Sequence, residues 1–370
     1  MSHSPARIAI DARILSKSTG TYARYLLKYL QQLDTTGYEF DVLLRSDDLE
    51  KWSPSAPNFR AVEAEYRDFT FAEQIGFLKQ LNREKYDLVH FCMQQQPALY
   101  RGNKVATFHD LTLLKWRNPA KNYFIFRVKQ LAAKFVFYSS IKTAKHIIVP
   151  SKYSADDVIQ FAKIPNNKLT VTYLAADPEA STGVADSSIV PNSPFVLYVG
   201  NFFSYKNVET LGIAVNKILE KHPDLKLVLV GRLDEAGQQL KEIFAENNLK
   251  NIIFTGYISD AQRDALYEAA TAYVFPSFME GFGLPGLEAM SHGLPVISSN
   301  ATCLPEVYKD AALYFDPSNS DELALLLDAI VEDSQLRQDL VLKGRKLLES
   351  YSWQKTAEET FEVYKKALKG

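Results

Sequence analysis

Tyr273-Val274-Phe275-Pro276-Ser277 leads through Glu280-Gly281-Phe282-Gly283-Leu284-Pro285-Gly286-Leu287-Glu288 to Gly293-Leu294-Pro295-Val296. The apolar run closed by Pro276 reads as a strand. The glycine- and proline-rich segment reads as a loop that turns into a helix, and Pro295-Val296 opens the next strand. Gly281 and Gly283 let the backbone bend and bring bare N–H groups close to a ligand. Pro285 suits the first helical position, where its missing N–H would be unpaired anyway, and Gly293 suits the helix stop. Glu280 then lies in the loop and Glu288 about one turn into the helix. The free amides between them, with the positive helix end behind, make a site for hydroxyls or a phosphate. A carboxylate accepts two hydrogen bonds readily, which fits a vicinal diol such as a ribose or hexose ring.

Outward from this segment, short apolar runs alternate with helical patterns along the chain. The first half offers strands at Arg7–Asp11, Phe40–Arg45, Phe59–Ala64, Leu88–Phe91, Lys104–His109, His146–Pro150 and Leu169–Leu174. The second half offers Phe195–Gly200, Leu225–Gly231, Ile252–Gly256, Ala272–Pro276, Pro295–Ser299 and Ala312–Phe315. Continuous Val/Ile/Leu runs separated by helices mean parallel sheets covered on both faces, and two such series mean two doubly wound α/β domains. A length of 370 residues also exceeds one ordinary core. Between Pro178 and Pro194 small residues and prolines replace any apolar period, so a linker is expected at 178–194, between domains at 1–177 and 195–352. Ser352 can cap a final helical run from Lys355 to Leu368, in a segment placed at 353–370.

Apolar residues make up 46% and charged residues 23%, the balance of a soluble globular protein. The net charge of −2 implies no global polyanion partner. Cys92 and Cys303 stand far apart, which argues for a reducing compartment and against a disulfide frame or zinc site. No charged-then-apolar leader precedes Arg7, and no uncharged apolar stretch is long enough for a bilayer, so a cytoplasmic location is expected.

The stretch from Tyr273 to Val296 resembles the donor-site signature of glycosyltransferase family 4, whose members are retaining enzymes of the GT-B type. The resemblance implies two Rossmann-like domains facing across a cleft, the last helix crossing back onto the first. It implies a nucleotide-diphosphate sugar as donor and neither cofactor nor metal. The chain indeed carries no Asp-x-Asp pair of the kind that holds a metal. By the same resemblance Glu280 holds sugar hydroxyls and Glu288 the ribose diol. Phe282 and the Gly283 and Leu284 amides line the donor, and Lys206 is the cation on the leaving diphosphate. Gly20 stands in the loop facing that diphosphate, and His109 stands near the reacting sugar, where a neutral imidazole could orient the anomeric carbon. Arg232 is a second rim cation, and Tyr257 and Ile258 lie near the nucleobase. Tyr205 stands where arginine is common and Asn201 where some members carry another, so the phosphate clamp is thinner than usual. Plain structural roles compete at several positions: a turn at Gly20, solvated surface cations at Lys206 and Arg232, core packing at His109 and Tyr257. His90 divides evenly between packing and function.

The opening Asp11-Ala12-Arg13 with Thr19-Gly20-Thr21-Tyr22, and His109-Asp110, look most like bacterial polysaccharide mannosyltransferases. They favour GDP-mannose over UDP-sugars, and a glycan or polyprenyl-linked acceptor. From Leu111 to Ala155 there is no Asp or Glu, but there are Lys115, Arg117, Lys121, Arg127, Lys129, Lys134, Lys142, Lys145 and Lys152, with seven aromatic residues among them from Trp116 to Tyr138. The core of it, 121–140, reads as a helix with apolar and basic sides. It reads as a core helix whose basic outer face completes the active-site cleft, and jointly as a contact with an anionic membrane surface, which is favoured; nucleic acid has no other support in the chain. A sugar-nucleotide-binding protein without turnover is the rival from another class. A nicotinamide oxidoreductase would need a G-x-G-x-x-G turn, which Asp11 to Gly20 does not offer. A phosphorylase would need a longer chain and a pyridoxal lysine.

Overall fold

The computed structural model describes residues 4–116, 123–176 and 186–369. The chain divides into two compact units, Met1–Leu174 with Ser352–Gly370, and Ala175–Tyr351. In the first, β1 (Ala6–Asp11), β2 (Tyr38–Leu44), β3 (Phe59–Glu63), β4 (Leu88–Phe91), β5 (Lys104–Thr107), β6 (His146–Val149) and β7 (Leu169–Val171) form one sheet in the order β3-β2-β1-β4-β5-β6-β7. Every neighbouring pair is parallel. The strand order reverses between β1 and β4, where Ile8 lies opposite Leu88. Ile8, Ala9, Ile10, Leu88 and Val89 are fully buried, because helices cover both faces of a parallel sheet.

The second unit repeats the plan with six strands: β8 (Phe195–Val199), β9 (Lys226–Val230), β10 (Ile252–Gly256), β11 (Ala272–Phe275), β12 (Val296–Ser299) and β13 (Ala312–Phe315). Their order is β10-β9-β8-β11-β12-β13, again all parallel, and the switch falls between β8 and β11. Ligands of open parallel sheets bind beyond the carboxyl ends of the strands, at such switch points. The two doubly wound sheets expected from the apolar runs are therefore present.

Helix Trp353–Lys369 packs on the first unit. Trp353 stacks on Tyr25, with ring centroids 4.9 Å apart, and Thr356 Oγ1 donates to Tyr173 O at 2.6 Å. Ser352 Oγ accepts from Lys355 N at 3.4 Å.

Several boundaries differ from the sequence reading. Strands end earlier than their apolar runs: β5 stops at Thr107, ahead of the loop that carries His109, and β7 stops at Val171, ahead of the passage into the second unit. Residues 178–185 of the expected linker lie outside the described residues. Residues 186–194 belong to the second unit: Asp186 N donates to Ala261 O at 3.2 Å, ahead of a single turn at Ser187–Ile189. The basic helix runs Tyr123–Thr143, and Arg117 and Lys121 lie outside the described residues. The helix after β1 is Thr21–Leu30.

Candidate functional site

The loop after β11 is held from behind by the segment after β12. Glu280 N donates to Thr302 Oγ1 at 3.2 Å, and Ser299 Oγ donates to Ser277 O at 2.6 Å. The buried Cys303 thiol reaches the carbonyls of Glu280 (3.4 Å) and Phe282 (3.3 Å). Tyr308, fully buried, donates its hydroxyl to Gly283 O at 2.5 Å. Gly283 has φ 108°, which an L side chain rarely adopts, and a Cβ there would stand 2.5 Å from the Tyr308 hydroxyl. With its carbonyl so fixed, Gly283 caps helix Leu284–Ser291, and Pro285 takes the second helical position rather than the first. Gly293 ends the helix at φ 70°.

The loop after β8 is stitched to the same place. Asn207 adopts the left-handed conformation (φ 58°, ψ 32°), which asparagine tolerates better than most residues. Its amide donates to Pro276 O at 2.9 Å and to Pro317 O at 2.7 Å. Phe278 N donates to Tyr205 O at 2.8 Å. These bonds bring two segments far apart in sequence into register, and Lys206 Nζ meets Glu280 Oε1 at 2.6 Å. Both side chains are only 13% exposed. The ammonium also lies 5.3 Å from the Tyr205 ring centroid and 5.5 Å from that of Phe275. Tyr205, where an arginine was expected, therefore supplies an aromatic face to the cation. Asn201 is exposed, and its side chain accepts from Phe203 N at 3.3 Å, the bond of a turn residue.

Glu288 is half-buried on the helix. It acts on Arg263, a residue the sequence reading missed. Burial lowers the Arg263 pKa, but Asp260, Glu288 and Asp264 outweigh it and hold the guanidinium above its ordinary range. Ser259 and Gln262 form a capping box at the start of helix Asp260–Ala269, and this signature could have drawn attention to Arg263. At the end of β10, Gly256 turns with φ 75°, Tyr257 is 79% exposed and Ile258 is half-buried. The Arg232 guanidinium sits 5.4 Å from the Tyr257 ring centroid. Lys206, Glu280, Phe282, Gly283 and Leu284 thus share one wall with Glu288 on its helix, while Arg232 and Tyr257 form a separate exposed pair.

In the first unit, Gly20 precedes helix Thr21–Leu30 with an ordinary φ of −79°. A Cβ there would fall 2.3 Å from the carbonyl oxygens of Ile14 and Leu15, so the loop closes on itself only over glycine. His109 Nε2 donates to Cys92 O at 3.0 Å, which leaves Nδ1 as the acceptor of a neutral ring. Burial lowers the His109 pKa, against opposing contributions from the Cys92 carbonyl and Asp110. Tyr22 meets the imidazole edge-on, with centroids 4.9 Å apart. Asp110 caps the next turn, accepting from Thr112 N at 2.9 Å. His90 is a core residue: Nδ1 pairs with the Tyr364 hydroxyl at 2.6 Å and Nε2 with Thr107 Oγ1 at 2.8 Å. Among the described residues, one group has the makings of a metal site, His222 with Asp328 and Glu332. Lys221 already neutralises it, at 2.9 Å from Asp328 and 2.7 Å from Glu332.

Two family models cover most of the sequence: "Glycosyltransferase Family 4" matches residues 19–180 and "Glycosyl transferases group 1" residues 184–347. The chain belongs to glycosyltransferase family 4. Among curated relatives of this family-4 chain, the O-antigen chain mannosyltransferase B of Escherichia coli is 29% identical over 280 residues, 70% of each chain. Among solved structures, the sucrose-phosphate synthase of Thermosynechococcus elongatus superposes with a TM-score of 0.76 at 21% identity, covering 98% of each chain. The Anabaena protein HepE in complex with UDP-glucose gives 0.71 at 18% identity, over 97% of this chain and 99% of that one. The fold of this family-4 chain is GT-B.

Proposed function

We propose that the protein is a retaining glycosyltransferase that moves a hexose, with mannose favoured, from a nucleotide-diphosphate sugar to a glycan or polyprenyl-linked acceptor. The observation that carries this reading is the Lys206–Glu280 pair on the loop that opens helix Leu284–Ser291 at Gly283. In that reading Lys206 and the helix end receive the charge that develops on the departing diphosphate, with no metal needed. Glu280 binds donor sugar hydroxyls and Glu288 the ribose diol, with the base near Tyr257, Ile258 and Arg232. Gly20 faces the diphosphate, and neutral His109 accepts a sugar hydroxyl. The acceptor attacks on the face the diphosphate leaves, and a phosphate oxygen takes its proton. The E. coli relative named for a mannosyltransferase supports mannose; the UDP-glucose complex of the Anabaena protein keeps UDP-sugars as the alternative donors.

We further read the chain as peripheral to the inner face of a membrane, held by the basic stretch 111–155. Among the described residues no helix is long and apolar enough to cross a bilayer. Calorimetric titration of GDP-mannose, GDP, UDP-glucose and UDP tests the donor assignment: GDP-mannose binding is expected, and no binding by any of the four removes the transferase reading. NMR of the product's anomeric proton tests retention; an inverted centre refutes it.

A further inference from the structure

The sequence offers one basic stretch as a membrane contact; the structure joins it to two apolar segments that the sequence leaves far away. Helix Tyr123–Thr143 turns Val128 (52% exposed), Leu131 (61%), Phe135 (62%) and Tyr138 (48%) to solvent. Their spacing of three, four and three residues puts them on one face of the helix. Ser139, at the margin of that face, donates to Ala98 O at 2.8 Å, which places the 59%-exposed Leu99 beside it. Gln74 in turn donates to Gln96 O at 3.1 Å and accepts from Ala98 N at 2.9 Å. That brings in the turn carrying Phe69 (61% exposed) and the helical segment that follows it, with Phe71 (87%) and Ile75 (55%). One band of exposed apolar residues therefore crosses three segments of the first unit.

The turn in this band is braced rather than slack. Phe69 has φ 60°, an unfavourable conformation for a bulky residue, and its N–H donates to Glu73 Oε2 at 3.1 Å. Glu73 is fully buried and paired with Arg13 at 3.0 Å. Arg13 is itself gripped by Asp11 at 2.7 Å and donates to Tyr66 O at 2.8 Å. A buried ion cluster thus holds an aromatic residue in a strained, outward position.

The charges around the band identify its occupant. Arg67, Lys79, Arg101, Arg127, Lys134 and Lys142 are exposed around it. Nearby acids are neutralised or hidden: Asp68 pairs with Lys17, Asp157 with Lys115, and Glu73 is buried. Large exposed apolar side chains edged by one sign of charge match a bilayer with anionic headgroups: the rings enter the interface and the cations meet phosphates.

We propose that this composite band, with Phe71 and Phe135 as its inserted side chains, is a docking surface for an anionic lipid bilayer. It rests on the peripheral reading above and adds the apolar contact and two further segments to it. Flotation with phosphatidylcholine vesicles, with and without 30% (on the order of natural anionic content) phosphatidylglycerol, tests it. The wild-type chain is expected to float with the anionic vesicles and to retain part of that binding in high salt, where electrostatic attraction is screened. F71S and F135S should each weaken partition by about tenfold, since each withdraws a large ring from the interface. Circular dichroism and GDP-mannose titration should be unchanged in both. Loss of all binding in high salt, or wild-type partition by both variants, overturns the apolar docking while leaving electrostatic attachment standing. No flotation by the wild type overturns both. Sedimentation that shows a dimer broken by F71S assigns the band to a second copy of the chain and also overturns the proposal.

Discussion

Lys206 Nζ lies 2.6 Å from Glu280 Oε1 in a pocket that leaves each side chain 13% exposed, although 74 residues separate them in sequence. The two charges compensate each other, so removing one leaves its partner largely buried without its counter-ion. Glu280→Ala should therefore do two things. It removes the acceptor of sugar hydroxyls, and it frees Lys206 to hold the diphosphate too tightly in the ground state, which does not speed the reaction. We expect kcat for sugar transfer to fall by a factor of about 1,000 or more, while GDP affinity is kept or raised. Steady-state kinetics beside calorimetry with GDP checks this. Near-normal turnover would remove Glu280 from the chemistry.

Glu288 separates from Glu280 by role. It stands on the helix within the field of Arg263. Glu288→Gln keeps the size and one acceptor oxygen but loses the charge that strengthens hydrogen bonds to a diol. A loss of about 1.5–3 kcal/mol in donor binding is expected, read as a rise in KM for the donor with a smaller change in kcat. An unchanged KM would place the ribose elsewhere.

Acid should destabilise the first unit through His90. Burial, and secondarily the nearby His109, lowers the His90 pKa from its ordinary 6.5 to about 3. In the unfolded chain the ring takes a proton below its ordinary pKa, whereas in the folded chain it stays neutral until about pH 3. The stabilisation is whole above the unfolded value and is lost as pH falls through that window. The slope from this one group is about 1.4 kcal/mol per pH unit. His146, lowered to about 4 by burial and then by Lys366 and Lys168, adds to it over a narrower range. Denaturant melts between pH 7 and pH 4 should show the slope, and His90→Gln should flatten it. A flat profile in the wild type would contradict the burial argument.

What the sequence discloses here depends on how local each feature is. The strands were legible because a buried parallel strand needs an unbroken apolar run such as Ile8-Ala9-Ile10 or Leu227-Val228-Leu229. The turn at Gly283 was legible because only glycine accepts its φ. The Lys206–Glu280 pair was not: the two sides were readable as separate motifs, but their contact depends on Asn207 bridging β8 and β11 across the switch point. Arg263 was hidden for the same reason, since its partner Glu288 arrives from another helix. His90 divided evenly between packing and function in the sequence. Only the arrival of Tyr364 from the far end of the chain shows that its ring is spent on packing.

Asn207 therefore offers a test of whether the site depends on that bridge. Its amide donates to Pro276 O and Pro317 O, and its backbone is left-handed. Asn207→Ala removes both bonds and puts a Cβ residue of low tolerance at φ 58°, so a stability loss of about 2–4 kcal/mol is expected. Asn207→Gly restores the backbone freedom but not the bonds, and should recover only the conformational part, about 1 kcal/mol. The two variants also separate fold from function. If the bonds to the prolines place Lys206 against Glu280, Asn207→Gly should fold at 25 °C yet lose donor affinity by about tenfold, since a shift of the ammonium weakens its grip on the diphosphate. Wild-type affinity in a folded Asn207→Gly protein would show that the loop holds Lys206 without the bridge.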